Sequence, residues 1–328
     1  MAWAKLGSGS VSGTVANTSW KELARASGTG TSITTDTFAG KDNLMILTDT
    51  NSGSSTATGG IRFNADTGTN YANRFSTDDG SDTTTQTSAT NILNGVGYAN
   101  KHSLTVGYVV NIAGEEKLTN FHVVEGSGSR REVAGKWANT SNQITSATLF
   151  ERDGNGWGST SEIVVLGMDN DEADSGTNFW QELASQTLTS NATTTMLDTG
   201  TFTAKKYLMV DYYLKSSTDP ATHFNNDTGN NYYWSYTDDG GSQSMGGNPS
   251  GSAGFHYGGN EMTGRVFIVN VADKDKQYTG SITYSSTSGA GSAPVRRELA
   301  GRWTNTSDQI TQIRMYSSGQ TGYTGSFI

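Results

Sequence analysis

Along the chain, apolar and aromatic side chains alternate with Thr, Ser and Asn in short runs separated by Gly, Asn, Asp and Ser. This is the pattern of half-buried strands joined by turns. Leu104-Thr105-Val106-Gly107-Tyr108-Val109-Val110 reads as a strand in the first half, and Tyr207 to Leu214 and Arg265 to Val271 read as strands in the second. Helix formers gather at only two places, Trp20 to Ala26 and Trp180 to Ser185, each enough for about two turns. Asp66-Thr67-Gly68 and Asp227-Thr228-Gly229 fall between strand ends, so Asp is expected to open a turn and Gly to adopt positive φ. The predicted fold is all-β, with two tandem β-sandwich, jelly-roll-like domains.

The tandem reading comes from a repeat. Trp20-Lys21-Glu22-Leu23-Ala24 returns as Trp180-Gln181-Glu182-Leu183-Ala184, and Phe38, Lys41, Leu44 and Met45 return as Phe202, Lys205, Leu208 and Met209. Phe63 to Tyr71 matches Phe224 to Tyr232, Thr77-Asp78-Asp79-Gly80 matches Thr237-Asp238-Asp239-Gly240, and Asn111 matches Asn270. The strongest block, Arg130 to Thr145, recurs as Arg296 to Thr311. A spacing of roughly 160 residues is the size of a whole domain. The expected division is 1–168 for the first sandwich, 169–176 for an acidic linker and 177–328 for the second. Ser326-Phe327-Ile328 stands opposite Ser161-Glu162-Ile163, where the first copy continues through Val164, Val165 and Leu166 to Gly167. Either the last strand of the second copy is shortened, or the sequence stops before that strand is complete; a sandwich strand normally runs about five or six residues, so the second is expected.

Composition sharpens this picture. The 328 residues include 41 Gly, against about 23 at average usage, which fits a chain full of turns. Aromatics make up 10% of the residues, too many for a disordered chain. With no Cys there is no disulfide framework, thiolate cluster or thiol nucleophile. No apolar run is long enough for a membrane-spanning helix. A net charge of −9, with basic residues scattered, argues against nucleic acid as a partner. Met1 to Ser10 lacks the apolar core of a secretory signal, so synthesis in a cytoplasm is expected.

Catalytic chemistry finds little support. The four histidines, His102, His122, His223 and His256, share no metal-ligand spacing, and His122 lies within the strand-like Phe121 to Val124. Asp78-Asp79 and Asp238-Asp239 could form acid pairs for glycoside hydrolysis, but each precedes Gly in a turn context and recurs in both halves. Asp169 to Asp174 lacks the Gly and Glu of a calcium loop and reads as a solvated linker. No catalytic, cofactor or metal residue is expected. Aromatics remain: Tyr232, Trp234 and Tyr236 share one face of a strand and could stack on sugars or form core, while Trp157 and Tyr323 sit in Gly-rich loops as exposed candidates. Trp137 and Trp303 recur within the strongest block and read as core.

Four segments together carry a family likeness: Met1 to Gly7, Phe38-Ala39-Gly40-Lys41-Asp42-Asn43-Leu44-Met45, Arg62 to Tyr71, and Arg130 to Ile144. They resemble virion-associated structural proteins of marine tailed bacteriophages, in which a single copy of the domain is the usual unit. The resemblance implies a non-enzymatic particle component on the virion surface. Its expected role is capsid decoration or a surface knob, with the major capsid protein, other virion proteins or its own copies as partners. The alternative is a tail-fibre or receptor-binding module that recognises host glycans through the aromatics named above.

Overall fold

The computed structural model describes residues 20–328 apart from 53–55, 79, 83, 98–100, 171–181, 194, 218, 256–259 and 317–320. Every regular element among the described residues is a strand. In the first half these are β1 (Lys21–Gly30), β2 (Ser32–Thr34), β3 (Asn43–Asn51), β4 (Ala57–Phe63), β5 (Tyr71–Thr77), β6 (Thr84–Ala89), β7 (Ile92–Gly97), β8 (His102–Val110), β9 (Lys117–Val124), β10 (Arg130–Trp137), β11 (Ala147–Glu151) and β12 (Trp157–Met168). The second half contributes β13 (Thr195–Asp198), β14 (Tyr207–Ser216), β15 (Ala221–Phe224), β16 (Tyr232–Asp238), β17 (Ser244–Ser250), β18 (Asn260–Val269), β19 (Lys276–Ser285), β20 (Val295–Trp303) and β21 (Ile313–Tyr316).

All pairings are antiparallel, and each sheet draws its strands from one half of the chain. The first half forms an eight-stranded sheet, β1-β12-β3-β8-β9-β10-β5-β6, and a four-stranded sheet, β2-β11-β4-β7. Alternation along β3 turns Leu44 and Ile46 inward. There they join Phe121, Val133, Ile163 and Val165 from the large sheet and Ile61, Phe63 and Leu149 from the small one in a single core. The second half repeats the arrangement with a six-stranded sheet, β14-β18-β19-β20-β16-β17, and a three-stranded sheet, β13-β21-β15. Its core joins Val210, Tyr212, Val266 and Leu299 to Met196, Phe224, Ile313 and Met315.

The helix formers do not make helices among the described residues. Lys21 to Gly30 is a strand paired along β12, with Leu23, Ala24 and Ala26 packed against the core. Tertiary packing overrides helix propensity here. Glu182 to Ser185 is irregular, while Trp180 and Gln181 lie outside the described residues.

The turn expectation needs a different correction. Positive φ falls on Asn64 and Ala65 and on Asn225 and Asn226, not on Gly68 or Gly229. Those glycines serve close approach instead, since a Cβ at Gly68 would lie 2.8 Å from Asn70 and one at Gly229 would lie 2.9 Å from Asn231. The aspartates do more than open a turn. Asp66 accepts hydrogen bonds from Trp137 Nε1 at 2.7 Å, Asn70 Nδ2 at 2.9 Å and the Gly68 amide at 2.8 Å. Asp227 does the same with Trp303, Asn231 and Gly229 at 2.7, 2.8 and 2.8 Å.

The polar part of the strongest repeated block has a similar explanation. Asn111 binds the backbone of Lys41 and Ile144, and Asn64 caps the amides of Thr145 and Ser146; Asn270 and Asn225 do likewise for Lys205, Ile310, Thr311 and Gln312. These residues fasten the long connection after the tryptophan strand to the sheet, satisfying backbone groups that would otherwise be buried unpaired.

Burial alone would raise the carboxyls of Asp66 and Asp227, but the indole, amide and backbone donors outweigh it and hold both below the ordinary value of 3.8. A depressed folded pKa stabilises the protein above about pH 4 and loses that contribution as pH falls through the folded value. Acid titration of stability should therefore be shallower below pH 4 in an Asp66→Asn/Asp227→Asn variant than in the parent, as read by urea unfolding at pH 3 and pH 6. Equal slopes would exclude these two groups as the cause.

Candidate functional site

The sequence-nominated aromatics do not assemble into a site. Tyr232 is fully buried and Trp234 is 9% exposed, so the larger-ring face of β16 is core. Cβ atoms placed on Gly246 and Gly254 would fall within the Trp234 ring's contact distance, so those glycines make room for it. Tyr236 is half-buried beneath the Arg297 guanidinium, 3.7 Å from its ring centroid. Trp157, expected in an exposed loop, is 4% exposed at the start of β12, packed over Gly59. Burying that much apolar ring is strongly favourable. Tyr323 alone of the five keeps substantial exposure, 36%.

The acid pairs are likewise occupied. Strand register sets Asp78 opposite Asp239 in the repeat, one residue away from the match by sequence, because Arg131 faces Thr77 while Arg297 faces Asp238. Asp78 and Asp239 both have positive φ and both cap an arginine amide, Arg130 at 2.8 Å and Arg296 at 3.0 Å. Asp238 is held by Arg297 at 2.8 Å. Asp79 lies outside the described residues, as does His256. Of the other histidines, His102 pairs with Asp49, His122 pairs with Glu132, and His223 is buried. Asp169 is held by Lys41 at 2.6 Å, and residues 171–176 of the expected linker lie outside the described residues. Among the described residues no group of three or more His, Asp or Glu is placed to hold a metal ion, and no helix is long and apolar enough to cross a membrane.

What the sequence did not suggest is a charged junction where the outer faces of the two large sheets meet. Lys136 on β10 is fully buried and donates to Ser285 Oγ at 2.9 Å and Thr287 O at 2.5 Å, with Glu116 at 3.4 Å. Arg296 on β20 reaches Ser76 at 2.8 Å and Asp82 at 3.1 Å. Lys215 on β14 bridges Glu115 at 2.6 Å and Glu261 at 3.4 Å. Burial is the main force on the Glu261 carboxyl, opposed by Lys215 and reinforced by Glu115 and Glu116, and it is pushed up to about 7. A raised folded pKa contributes stability that is whole below pH 4.5 and lost as pH rises through 7. Glu261→Gln should accordingly flatten the pH dependence of thermal stability between pH 5 and 8 and leave the variant more stable than the parent at pH 8. A variant that follows the parent's curve would exclude Glu261 as its source.

Two concavities open beside this junction. The smaller, about 410 Å³, mixes rings and charged groups and is lined by Trp20, Tyr108, His122, Glu132, Arg265 and Glu298 among others. Its arginines are already engaged: Arg265 is bonded to Asp211 and lies 3.5 Å from the Tyr108 ring centroid, and Arg130 is 3.5 Å from Glu132. The larger, about 910 Å³, follows the edge of β14. Leu183, Ala184, Phe202, Leu208, Val210, Ile268, Tyr278 and Ile328 line it, with Met168 and Trp20 contributed by the first half. β14 is an edge strand of the six-stranded sheet.

No family model matches the chain, and no curated protein sequence matches it. Among solved structures, domains LG4-5 of the mouse laminin alpha1 chain align over 95% of this chain and 90% of that one, at 9% identity and a TM-score of 0.20. The LG1-3 region of the laminin alpha2 chain aligns over 94% of this chain and 61% of that one, at 10% identity and a TM-score of 0.23. At such TM-scores the alignments carry no argument; the all-β architecture rests on the strands described above.

Proposed function

We propose that this protein works by association without chemistry, as a structural component of a bacteriophage particle that decorates the exterior of the head. The observation that carries the association is the 910 Å³ apolar groove beside an edge strand, a surface suited to another polypeptide. The charged groups support the same reading: Arg74, Lys215 and Arg296 are consumed in ion pairs with Asp239, Glu115 and Asp82 that join the two halves. The placement on a phage head comes from the likeness of the repeated segments to virion proteins. Electron cryomicroscopy of particles carrying the protein should find its density at lattice positions on the head; density confined to the tail tip would overturn the head assignment.

A second reading, glycan recognition, is favoured by the smaller cleft, where Trp20 and Tyr108 stand beside hydrogen-bonding groups. Glycan-array binding that is lost in Tyr108→Ala would support it. Binding that survives that change and is lost in Tyr323→Ala would move the site to the loop.

A further inference from the structure

We infer that the seam between the two halves is a proton-operated latch. It is closed while Asp239 and Glu261, second-half carboxyls set against carboxyls of the first half, each hold a proton, and it opens when those protons leave.

The seam is polar. The large apolar cores of the two halves stay separate, and the small cluster that spans them holds Val110, Ile112, Tyr213 and Phe327. Domains joined in this way are expected to move relative to one another. Hydrogen bonds and ion pairs cross the seam instead. The Asp82 and Ser88 amides donate to Asp239 O and Ala290 O, each at 2.7 Å, the Gly289 amide donates to Glu116, and Lys136 donates to Ser285 at 2.9 Å.

At one place the Asp239 carboxyl meets that of Asp82, whose side chain is 2% exposed. Arg74 on β5 binds Asp239, and Arg296 on β20 binds both Asp82 and Glu298. Arg297 is taken by Asp238. Two guanidiniums therefore face three carboxylates unless one of these carries a proton. At a second place Glu261 on β18 faces Glu115 and Glu116, which precede β9. Lys215 on β14 is shared between Glu115 and Glu261, with Tyr213 of the same strand beside them. The other cations here are engaged: Lys136 with Glu116, and Lys117 with the carbonyls of Glu115 and Asn139.

In each group one carboxyl oxygen, Asp82 Oδ2 or Glu261 Oε2, is shut off from water and meets no donor among the described residues. A buried carboxylate oxygen without a donor is costly, and a proton on the group relieves it. Burial is the main force on both second-half carboxyls, reinforced by Asp82 on Asp239 and by Glu115 and Glu116 on Glu261, and it pushes them up to about 6 and about 7. Parting the halves returns both to water, so closing the seam takes up protons. Its contribution is whole below about pH 4 and is lost as pH rises through the two raised values. Opening also parts the walls of the smaller cleft, which come from both halves.

The test follows amide hydrogen exchange of the full chain at pH 5 and pH 8, corrected for the intrinsic rate at each pH. Protection at Asp82, Ser88 and Gly289, whose N–H groups cross the seam, is expected to fall at least tenfold more than at Ile46, which lies in the middle of β3. Small-angle scattering is expected to give a longer maximum dimension at pH 8. Both changes are expected to vanish in Asp239→Asn/Glu261→Gln, whose amides keep the shape of the protonated carboxyls. Equal loss of protection at all four amides, an unchanged maximum dimension, or a double variant that opens as the parent does would overturn the inference. If the double variant does not fold, exchange and scattering of the parent decide the matter alone.

Discussion

Replacing Trp303 with Ala is expected to cost about 3–5 kcal/mol of stability, the usual penalty for emptying a large aromatic site in a packed core. Trp303 is fully buried, stacks on Tyr232 at 6.3 Å and meets the Phe224 edge at 5.8 Å. Its indole N–H is one of three donors to Asp227. The truncation therefore opens a cavity and also leaves a carboxylate short of a hydrogen bond. Trp303→Phe separates these effects: it keeps most of the ring contact and removes the donor, for an expected loss of about 1–3 kcal/mol. Asp227→Ala in the Phe background should then cost less than in the parent, by the one interaction the two residues share, while the bonds from Asn231 and Gly229 are lost in both backgrounds. Urea unfolding of the four proteins measures this cycle. A Trp303→Ala protein within about 1 kcal/mol of the parent would mean that the site relaxes to fill the space. The same substitution at Trp137, which binds Asp66 in the same geometry, should act alike on the first half.

That equivalence was visible in the sequence as a repeated block, but its physical content was not. Pattern alone marks Trp137 and Trp303 as core, and it cannot say that a turn aspartate some 70 residues earlier accepts their indole protons. Alternation identified β8, β14 and β18, since each has one buried face. It misjudged Lys21 to Gly30, where local helix propensity competes with a pairing partner, β12, more than 100 residues away. Trp157 was misplaced for a related reason. Its Gly neighbours read as a loop, whereas in the folded chain glycine supplies clearance for the ring, as Gly59 does. The candidate groove was not legible, because its lining, which runs from Leu183 to Ile328 and takes in Met168 and Trp20, is brought together only by the fold. The charged junction was hidden altogether. Lys136, Arg296 and Glu261 lie on outward faces of their sheets, where charge normally means solvent, and only the meeting of two sheets buries them.

The junction should yield the other large effect. Arg296→Ala is expected to destabilise the protein by about 3–5 kcal/mol, the range for breaking a buried pair from one side. Arg296 is 3% exposed and the Asp82 side chain 2% exposed, so neither charge can turn to water when the other is removed. One terminal nitrogen of Arg296 serves both Ser76 and Asp82, while the other binds Glu298 at 2.6 Å. Lys offers a single ammonium in place of this fork, so Arg296→Lys should recover only part of the loss. Removing both charges should do better: Arg296→Met/Asp82→Leu, which leaves no orphaned carboxylate at this pair, is expected within about 2 kcal/mol of the parent. The penalty should also depend on pH. Asp239 lies beside the pair and is pushed up to about 6, chiefly by burial, with the Arg296 amide and Arg74 opposing and Asp82 adding to the rise. A folded pKa above the ordinary 3.8 stabilises fully below that value and fades as pH rises through 6. Arg296→Ala should thus lose more stability at pH 8 than at pH 5, where Asp239 takes up a proton and relieves the excess negative charge. A penalty that is the same at both pH values would show that lost packing, not the stranded carboxylates, accounts for the effect.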